Sequence, residues 1–419
     1  MIWIFYTTLL GFIFINSTAN PVKNVLSLIN RDGAERRLLD ENLPEDTFVN
    51  ISNYLFKNGY PFEKHHFTTE DGYILEMHRI PNTKANVAKN QTIPRILFVP
   101  PLMCSSIDWV SNGPNGSLAL LSFDLGYDVW LLNHRGTRYS MSHIIYNNTE
   151  EAFWNFSFHE KGYYDLAASV DYVLNYTESK KLTMVSYSEG TAAAMALATT
   201  RLEYNEKIEL MVLLSPIGYM GGVSSIVPVL TATFLPILQE FTKAIHLYGV
   251  PYNEEVSKLI ISVCAYNDDM KKTCSILLGL FLGYDPEQID LNHLIVMMSD
   301  KPSGVAMKQF YHMAQEIVSE SFRQYDYGTE ENLVRYGTTE PPAYNLNKLT
   351  APMALYYAKN DPNSPIANVE KLLNQLPNVV DSYLVEYEQF NHLDFIAAKD
   401  INTLLYDRVL AVMNKIINK

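Results

Sequence analysis

Cysteine is scarce in this sequence, with three residues among 419. Three are too few for a disulfide-dense scaffold, so the fold must depend on a buried core. Cys264 and Cys274 are close enough to close a small loop in an oxidising compartment, whereas we expect Cys104 to be a buried free thiol. No cysteines and histidines have the spacing of metal ligands, so we expect no metal site and no cofactor.

Basic residues are also fewer than acidic residues. The chain carries 32 Lys and Arg against 46 Asp and Glu, a formal net charge of −14. This balance, without any run of basic residues, argues against nucleic acid or an anionic membrane as a partner. Beyond the N-terminus, no segment is apolar enough and long enough to be a transmembrane span.

The N-terminus carries one apolar run, from Ile2 to Ile15. The run is too short to cross a bilayer comfortably, and Ser17 and Ala19 fit the small-residue rule for signal-peptide cleavage. We therefore expect residues 1–19 to be a signal peptide. An uncleaved anchor is the alternative, because no Lys or Arg precedes the run.

Sequons for asparagine glycosylation support secretory passage. Together they fit a glycosylated lumenal or extracellular protein. The six beyond the signal peptide begin at Asn50, Asn90, Asn115, Asn147, Asn155 and Asn175.

Short apolar runs rich in branched residues alternate with helical patterns along most of the chain. This alternation predicts an α/β fold with a mostly parallel sheet. The helical pattern at Tyr164–Asn175 is one example. The predicted strands are Arg95–Val99, Asp128–Leu132, Leu182–Val185, Ile208–Ser215, Met353–Tyr357 and Tyr383–Tyr387.

The alternation fails between about residues 216 and 341, which predicts an inserted, mainly helical domain at 217–340. The core domain then consists of residues 20–216 and 341–419. The insertion contains apolar runs at Ile226–Phe241 and Ser275–Tyr284. These runs either pack internally or form a lid whose apolar face meets lipid.

The segment Ser186-Tyr187-Ser188-Glu189-Gly190 lies between a predicted strand and an alanine-rich helix. A nucleophilic serine on a sharp strand-to-helix turn has this context, with G-x-S-x-G as its usual sequence. Here the first glycine is Ser186, and the short pattern alone is weak support for Ser188 as a nucleophile.

A serine nucleophile needs a histidine base and an orienting carboxylate. Asp361 follows the predicted strand Met353–Tyr357, and His392 follows Tyr383–Tyr387. Their order after Ser188, in loops at the carboxyl ends of strands, favours a catalytic triad. Taken singly, each has a plainer explanation, as a turn aspartate and a surface histidine.

Segments over nearly the whole mature chain are similar to the acid lipases, the α/β-hydrolase family that contains gastric and lysosomal acid lipases. The combination is far more specific than the serine turn alone. The matching segments are Gly59-Tyr60-Pro61, Thr69–Leu75 with His78–Pro81, Asp108-Trp109, Gly126–Leu131, Asn133-x-Arg135-Gly136, Phe153–Phe158, Tyr164–Leu166, Tyr325–Gly328, Pro341–Leu346 and Asn391–Phe395.

The resemblance implies an α/β-hydrolase fold with a mainly helical cap. It implies Ser188 as nucleophile, Asp361 as orienting acid and His392 as base, with no metal. It implies oxyanion-hole donors at the backbone N–H groups of Leu102 and Glu189.

The resemblance further implies that Cys264 and Cys274 form a cap disulfide. The implied substrate is an ester of a neutral lipid, reached at a lipid-droplet or micelle interface through the cap. The implied location is secreted or lysosomal.

The chain departs from the family pattern around the predicted site. Glu189 replaces a glutamine, and its ionised carboxylate would oppose a developing oxyanion. Pro100-Pro101 replaces His-Gly, which leaves open whether the Leu102 N–H points at the site. Two functions are therefore weighed, an active lipase and a catalytically weak lipid-binding or storage protein of the same fold.

Overall fold

The computed structural model describes Leu43, Thr47 and residues 50–82 and 93–417. The expected signal peptide and the sequon at Asn90 lie outside the described residues. The strands are β1 (Glu63–Thr68), β2 (Tyr73–Ile80), β3 (Arg95–Val99), β4 (Asp128–Leu132), β5 (Ser142–His143), β6 (Leu182–Tyr187), β7 (Ile208–Leu214), β8 (Gly249–Pro251), β9 (Gly304–Ala306), β10 (Met353–Tyr357) and β11 (Val379–Leu384).

Helices occupy most of the remaining chain. They are α1 (Ile51–Lys57), α2 (Leu118–Asp124), α3 (Ala167–Tyr176), α4 (Glu189–Thr200), α5 (Ile226–Thr233), α6 (Leu235–Ala244), α7 (Glu254–Cys264), α8 (Asp268–Leu282), α9 (Leu291–Met298), α10 (Met307–Ser319), α11 (Thr329–Tyr336), α12 (Ile366–Leu373), α13 (Asp394–Ala397) and α14 (Asp407–Ile417). A single turn at Phe158–Glu160 and a π-helical segment at Lys161–Leu166 lead into α3.

The central sheet has the strand order β1-β2-β4-β3-β6-β7-β10-β11, with β5 paired to β2. From β4 to β11 all neighbours are parallel, whereas β1, β2 and β5 pair antiparallel at one end. The prediction of an α/β fold with a mostly parallel sheet is confirmed. Parallel strands place their carboxyl ends along one edge, which is where ligands bind in such folds.

Both faces of the sheet are covered, as expected for buried parallel strands. In β3, Ile96 and Phe98 belong to the hydrophobic core on one face, and Leu97 and Val99 to the core on the other. This assignment follows from the period of two residues in a strand. Continuous apolar runs such as residues 96–99 therefore predict strands correctly.

The last predicted strand was misplaced. The structure has β11 at Val379–Leu384, so it overlaps the predicted Tyr383–Tyr387 by only two residues. As an edge strand, β11 alternates between partly buried and exposed side chains and includes the polar pair Asp381-Ser382. The prediction looked for an apolar run and so missed its beginning.

The segment between β7 and β10 carries seven helices and the small antiparallel pair β8–β9. We call residues 217–340 the insert; its limits as a separate domain remain a prediction. Within it, Cys264 and Cys274 form a disulfide between α7 and α8, whereas Cys104 outside the insert is a buried free thiol. None of the helices in the described ranges is long and apolar enough to cross a membrane.

Candidate active site

Ser188 lies at the turn between β6 and α4, at the carboxyl edge of the sheet. Its backbone has φ 54°, a left-handed conformation that is rare for a residue with a side chain. The backbone N–H donates to Leu214 O at 3.0 Å, which ties the turn to the neighbouring strand β7. A strained serine at a strand-to-helix turn is the geometry of a nucleophile elbow.

The elbow needs a glycine at only one of its two usual positions. A Cβ on Gly190 would lie 2.8 Å from Pro100 O and 2.9 Å from Val99 O, because the start of α4 packs against the end of β3. Ser186 instead lies within β6 and is fully buried. An extended backbone accepts a small side chain, so the missing first glycine leaves the turn intact.

His392 and Asp361 complete a hydrogen-bonded chain with Ser188. His392 Nε2 lies 2.9 Å from Ser188 Oγ, and His392 Nδ1 lies 2.9 Å from Asp361 Oδ2. Burial opposes ionisation of Asp361, but His392 and the hydrogen bonds to the carboxylate outweigh it, so the pKa of Asp361 lies below its ordinary value. An ionised Asp361 favours the imidazole tautomer with Nδ1 protonated, which leaves Nε2 as a hydrogen-bond acceptor for the Ser188 hydroxyl.

Ser215 is a member of this cluster that the sequence analysis did not single out. Its hydroxyl donates to Asp361 Oδ2 at 2.6 Å and lies 2.9 Å from His392 Nδ1. The residue follows β7 with φ 48° and donates its N–H to Tyr356 O at 2.8 Å. The available signal was its position, a polar residue at the carboxyl end of a predicted strand next to the Ser188 strand.

The insert holds the loops that carry His392 and Asp361. The His392 N–H donates to Leu282 O at 2.9 Å, at the end of α8. A Cβ on the adjacent Gly283 would lie 2.5 Å from Asn360 O and 2.7 Å from Asn391 Cβ. The end of α8 therefore packs against both loops, and glycine allows this close approach.

Leu102 and Glu189 flank Ser188 in the wall of one cavity. Leu102 follows Pro100-Pro101, and the next residue, Met103, has φ 64°. The insert fixes this loop, because Ser303 N–H donates to Met103 O at 2.9 Å. The two residues expected to donate to an oxyanion thus line the same cavity as Ser188.

The carboxylate of Glu189 is paired within the protein. Lys161 Nζ lies 2.8 Å from Glu189 Oε2, and Gln309 Nε2 donates to Glu189 Oε1 at 2.7 Å. Lys161 precedes α3 and Gln309 belongs to α10 in the insert, and all three side chains are buried. The sequence offered no signal for these partners, because they are distant from Glu189 in the chain. The pairing supplies a positive charge beside the group that was expected to oppose an oxyanion.

The cavity beside Ser188 has a volume of about 270 Å³ and is lined mostly by apolar side chains. Residues outside the insert, such as Tyr187 and Ala192, and insert residues, such as Leu278 and Phe310, line it together. Among the described residues, no group of three or more His, Cys, Asp or Glu could hold a metal ion. An apolar space ending at a serine and a histidine suits a hydrophobic ester.

The five sequon asparagines within the described ranges all lie at exposed positions. Exposure is compatible with a glycan at each, and their use as glycosylation sites remains a prediction. These residues are Asn50, Asn115, Asn147, Asn155 and Asn175.

Comparison with known proteins gives matches over most of the chain. Residues 51–113 match the family model described as a partial alpha/beta-hydrolase lipase region, and residues 96–247 match the alpha/beta hydrolase fold. Lipase 3 of Drosophila melanogaster is 38% identical over 85% of this chain and 90% of that protein. The gastric triacylglycerol lipase of Homo sapiens is 32% identical over 89% of this chain and 92% of that protein.

A solved structure shows the same fold at low sequence identity. A soluble variant of the monoglyceride lipase of Saccharomyces cerevisiae is 14% identical, with a TM-score of 0.53, over 89% of this chain and 98% of that chain. The family assignment rests on the coverage and the identity of the sequence matches. The chain belongs to the acid lipase family of α/β-hydrolases, a family of carboxylic ester hydrolases.

Proposed function

We propose that this protein hydrolyses carboxylic esters of neutral lipids through an acyl-enzyme on Ser188. The observation that carries the proposal is the unbroken chain of hydrogen bonds from Ser188 through His392 to Asp361, at the wall of an apolar cavity.

In the first half of the reaction, Ser188 Oγ attacks the ester carbonyl carbon while His392 Nε2 accepts its proton. Collapse of the tetrahedral intermediate breaks the bond to the alcohol, which leaves with the proton from Nε2. In the second half, His392 deprotonates a water that attacks the acyl-enzyme. Collapse breaks the bond to Ser188 Oγ, which takes the proton from Nε2, and the acid is released. Asp361 orients the imidazole and stabilises its charged form throughout.

The oxyanion of the tetrahedral intermediate would be held by the N–H groups of Glu189 and Leu102. Each such donor is worth about 3 kcal/mol of transition-state stabilisation. The start of α4 adds its helix dipole at the same place. Pairing of the Glu189 carboxylate with Lys161 supports this role, because the charge next to the intermediate is compensated.

We further propose that the insert is a cap that meets the lipid surface. The supporting observation is a row of exposed apolar side chains along α5, α6 and the residues that flank α6; α5 also lines the cavity. Soluble proteins seldom expose such a patch without a partner. The row consists of Ile226 (42% exposed), Phe234 (48%), Ile237 (68%), Phe241 (56%) and Ile245 (52%).

Secretory passage to the exterior or to lysosomes remains part of the proposal. Its support is the sequon asparagines at exposed positions and the disulfide between Cys264 and Cys274. A disulfide persists in oxidising compartments.

Hydrolysis of a short-chain chromogenic ester by purified protein, at acidic and neutral pH, tests the activity. The matched control is Ser188→Ala, which keeps the cavity and removes the nucleophile. We expect the variant to lose at least about a thousandfold in kcat. Wild-type hydrolysis no faster than that of the variant would overturn the proposal and favour a lipid-binding protein that uses the same cavity.

A further inference from the structure

The loop of residues 100–105, which follows β3, carries one of the two expected oxyanion donors, and we call it the oxyanion loop. Its residue Leu102 lines the cavity together with Ser188. The pair Pro100-Pro101 has no N–H, so the start of the loop cannot be held by bonds that its own backbone donates. Met103 has φ 64°, a strained conformation that persists only where its neighbours enforce it. The loop therefore needs an anchor from another part of the chain.

The insert contacts this loop through residues 300–303, between α9 and β9. The Ser303 N–H donates to Met103 O at 2.9 Å, at the strained residue itself. The Ser105 hydroxyl donates to Asp300 Oδ2 at 2.6 Å, and both of these side chains are fully buried. The two contacts hold the loop at its middle and at its end.

Lys301, in the same segment of the insert, forms an ion pair with Asp108. Lys301 Nζ lies 2.5 Å from Asp108 Oδ1, and Asp108 Oδ2 accepts the Ser105 N–H at 2.8 Å. Asp108 thus connects the lysine to the end of the oxyanion loop. Burial acts to lower the pKa of Lys301, but the charge of Asp108 outweighs it, so the pKa lies above its ordinary value. The lysine therefore remains charged at acidic and neutral pH.

We propose that Asp300 and Lys301 are positioning residues, which hold the Leu102 N–H towards the oxyanion of the tetrahedral intermediate. The inference rests on the proposed ester hydrolysis and assigns neither residue a contact with the substrate. Arg138 donates to Asp300 Oδ1 at 2.8 Å, so the carboxylate that accepts from Ser105 is itself held in place. Anchoring by the insert explains how a loop that begins with two prolines can present a donor.

The test compares a soluble chromogenic ester with the thionoester of the same acyl chain, in which sulfur replaces the carbonyl oxygen. Sulfur is larger and accepts hydrogen bonds more weakly, so a well-placed oxyanion donor favours the ester. The variant is Asp108→Asn/Lys301→Met, which removes the ion pair and keeps an acceptor for the Ser105 N–H. We expect kcat on the ester and the ester-to-thionoester ratio of kcat each to fall about tenfold, with little change in KM. An unchanged ratio would overturn the proposal.

Further variants separate positioning from a general loosening of the insert. Lys301→Arg keeps the ion pair and should keep the ratio of wild type. Gln288→Met breaks a hydrogen bond that joins the insert to Asp400 and not to the loop, so it should leave the ratio unchanged even if the protein melts at a lower temperature. An equal fall of the ratio in this control would refute a specific role for the anchor. If the double variant does not fold, Ser105→Ala, which removes the bond to Asp300, gives the same comparison.

Hydrogen exchange at the backbone amides of residues 102–105, measured by mass spectrometry, tests the anchor without any activity. We expect faster exchange in Asp108→Asn/Lys301→Met than in wild type or Gln288→Met. If no ester is hydrolysed but exchange is faster in the double variant, the proposed function fails and the anchor stands. Exchange as slow as in wild type would overturn the anchor, whether or not esters are hydrolysed.

Discussion

Lys161 Nζ lies 2.8 Å from Glu189 Oε2, and both side chains are buried. Glu189 follows Ser188, so its charge is among the closest to a developing oxyanion. The ammonium group compensates that charge, which permits an acid at this position. The desolvation cost of a buried ion pair offsets much of its attraction. Removal of one partner is therefore more destabilising than replacement of both.

The first prediction concerns the loss of one member of this pair. Lys161→Met leaves the Glu189 carboxylate buried without a cation, which costs about 3–5 kcal/mol for a buried pair. We expect a lower free energy of unfolding in urea and a kcat at least about tenfold lower on a soluble ester. The paired control is Lys161→Met/Glu189→Gln, which should recover most of both quantities. Equal defects in the single and double variants would contradict the compensating role.

The second prediction concerns Ser215, which we assign as a positioning residue. Its hydrogen bond helps to hold the pKa of Asp361 below the ordinary value, so Ser215→Ala should raise that pKa. Asp361 would then become protonated at a higher pH, and the acidic limb of the kcat profile should move upward. We expect kcat to fall about tenfold with little change in KM. Ser215→Thr, which retains the hydroxyl, should restore part of the activity; an unmoved acidic limb in Ser215→Ala would argue against the assignment.

The third prediction concerns stability at alkaline pH. Asp394, two residues after His392, is buried near Asp285 of the insert, and burial raises the pKa of Asp394 to about 8. The hydrogen bond from Asn391 N–H acts in the opposite direction and is the weaker effect. Tyr387 and Glu287 also meet at this contact, and the charge of Asp361 raises the pKa of Asp394 as well.

The unfolded chain has an aspartate pKa of about 3.9, so the folded value is raised. The contribution of neutral Asp394 to the stability of the folded state is therefore complete below about pH 4. It is lost as the pH rises through about 8. The melting temperature should fall by several degrees over this range. In Asp394→Asn, which does not titrate, the fall should be smaller. A wild-type melting temperature that is constant from pH 4 to 8 would refute this interpretation.

The fourth prediction concerns the lipid surface. Ile237→Glu places a charge in the exposed apolar row on α6, where the side chain is 68% exposed. We expect about tenfold lower activity on an emulsified triglyceride and unchanged activity on a soluble ester. Ile145→Glu is a matched control, since Ile145 is 74% exposed but lies outside the insert. Equal losses of activity on the emulsion in Ile237→Glu and Ile145→Glu would show that the apolar row has no particular role in lipid binding.

The sequence located most of the candidate site because catalytic residues follow strands in this type of fold. Ser188 and Asp361 each follow a strand whose carboxyl end was predicted correctly to within two residues. His392 was placed in the right loop although β11 was misplaced, since the Asn391–Phe395 match to the acid lipases did not depend on the strand. Buried parallel strands have strong local signals, and edge strands do not.

What the sequence by itself determined is the α/β class, the order of the three catalytic candidates and the family. These follow from apolar periodicity and from short motifs, both of which are local in the chain. Only the tertiary structure decided that Lys161 and Gln309 pair with Glu189, and that Ser215 joins Asp361 and His392. Such contacts join segments far apart in the chain, and no local pattern encodes a charge pair that forms only when helices pack together.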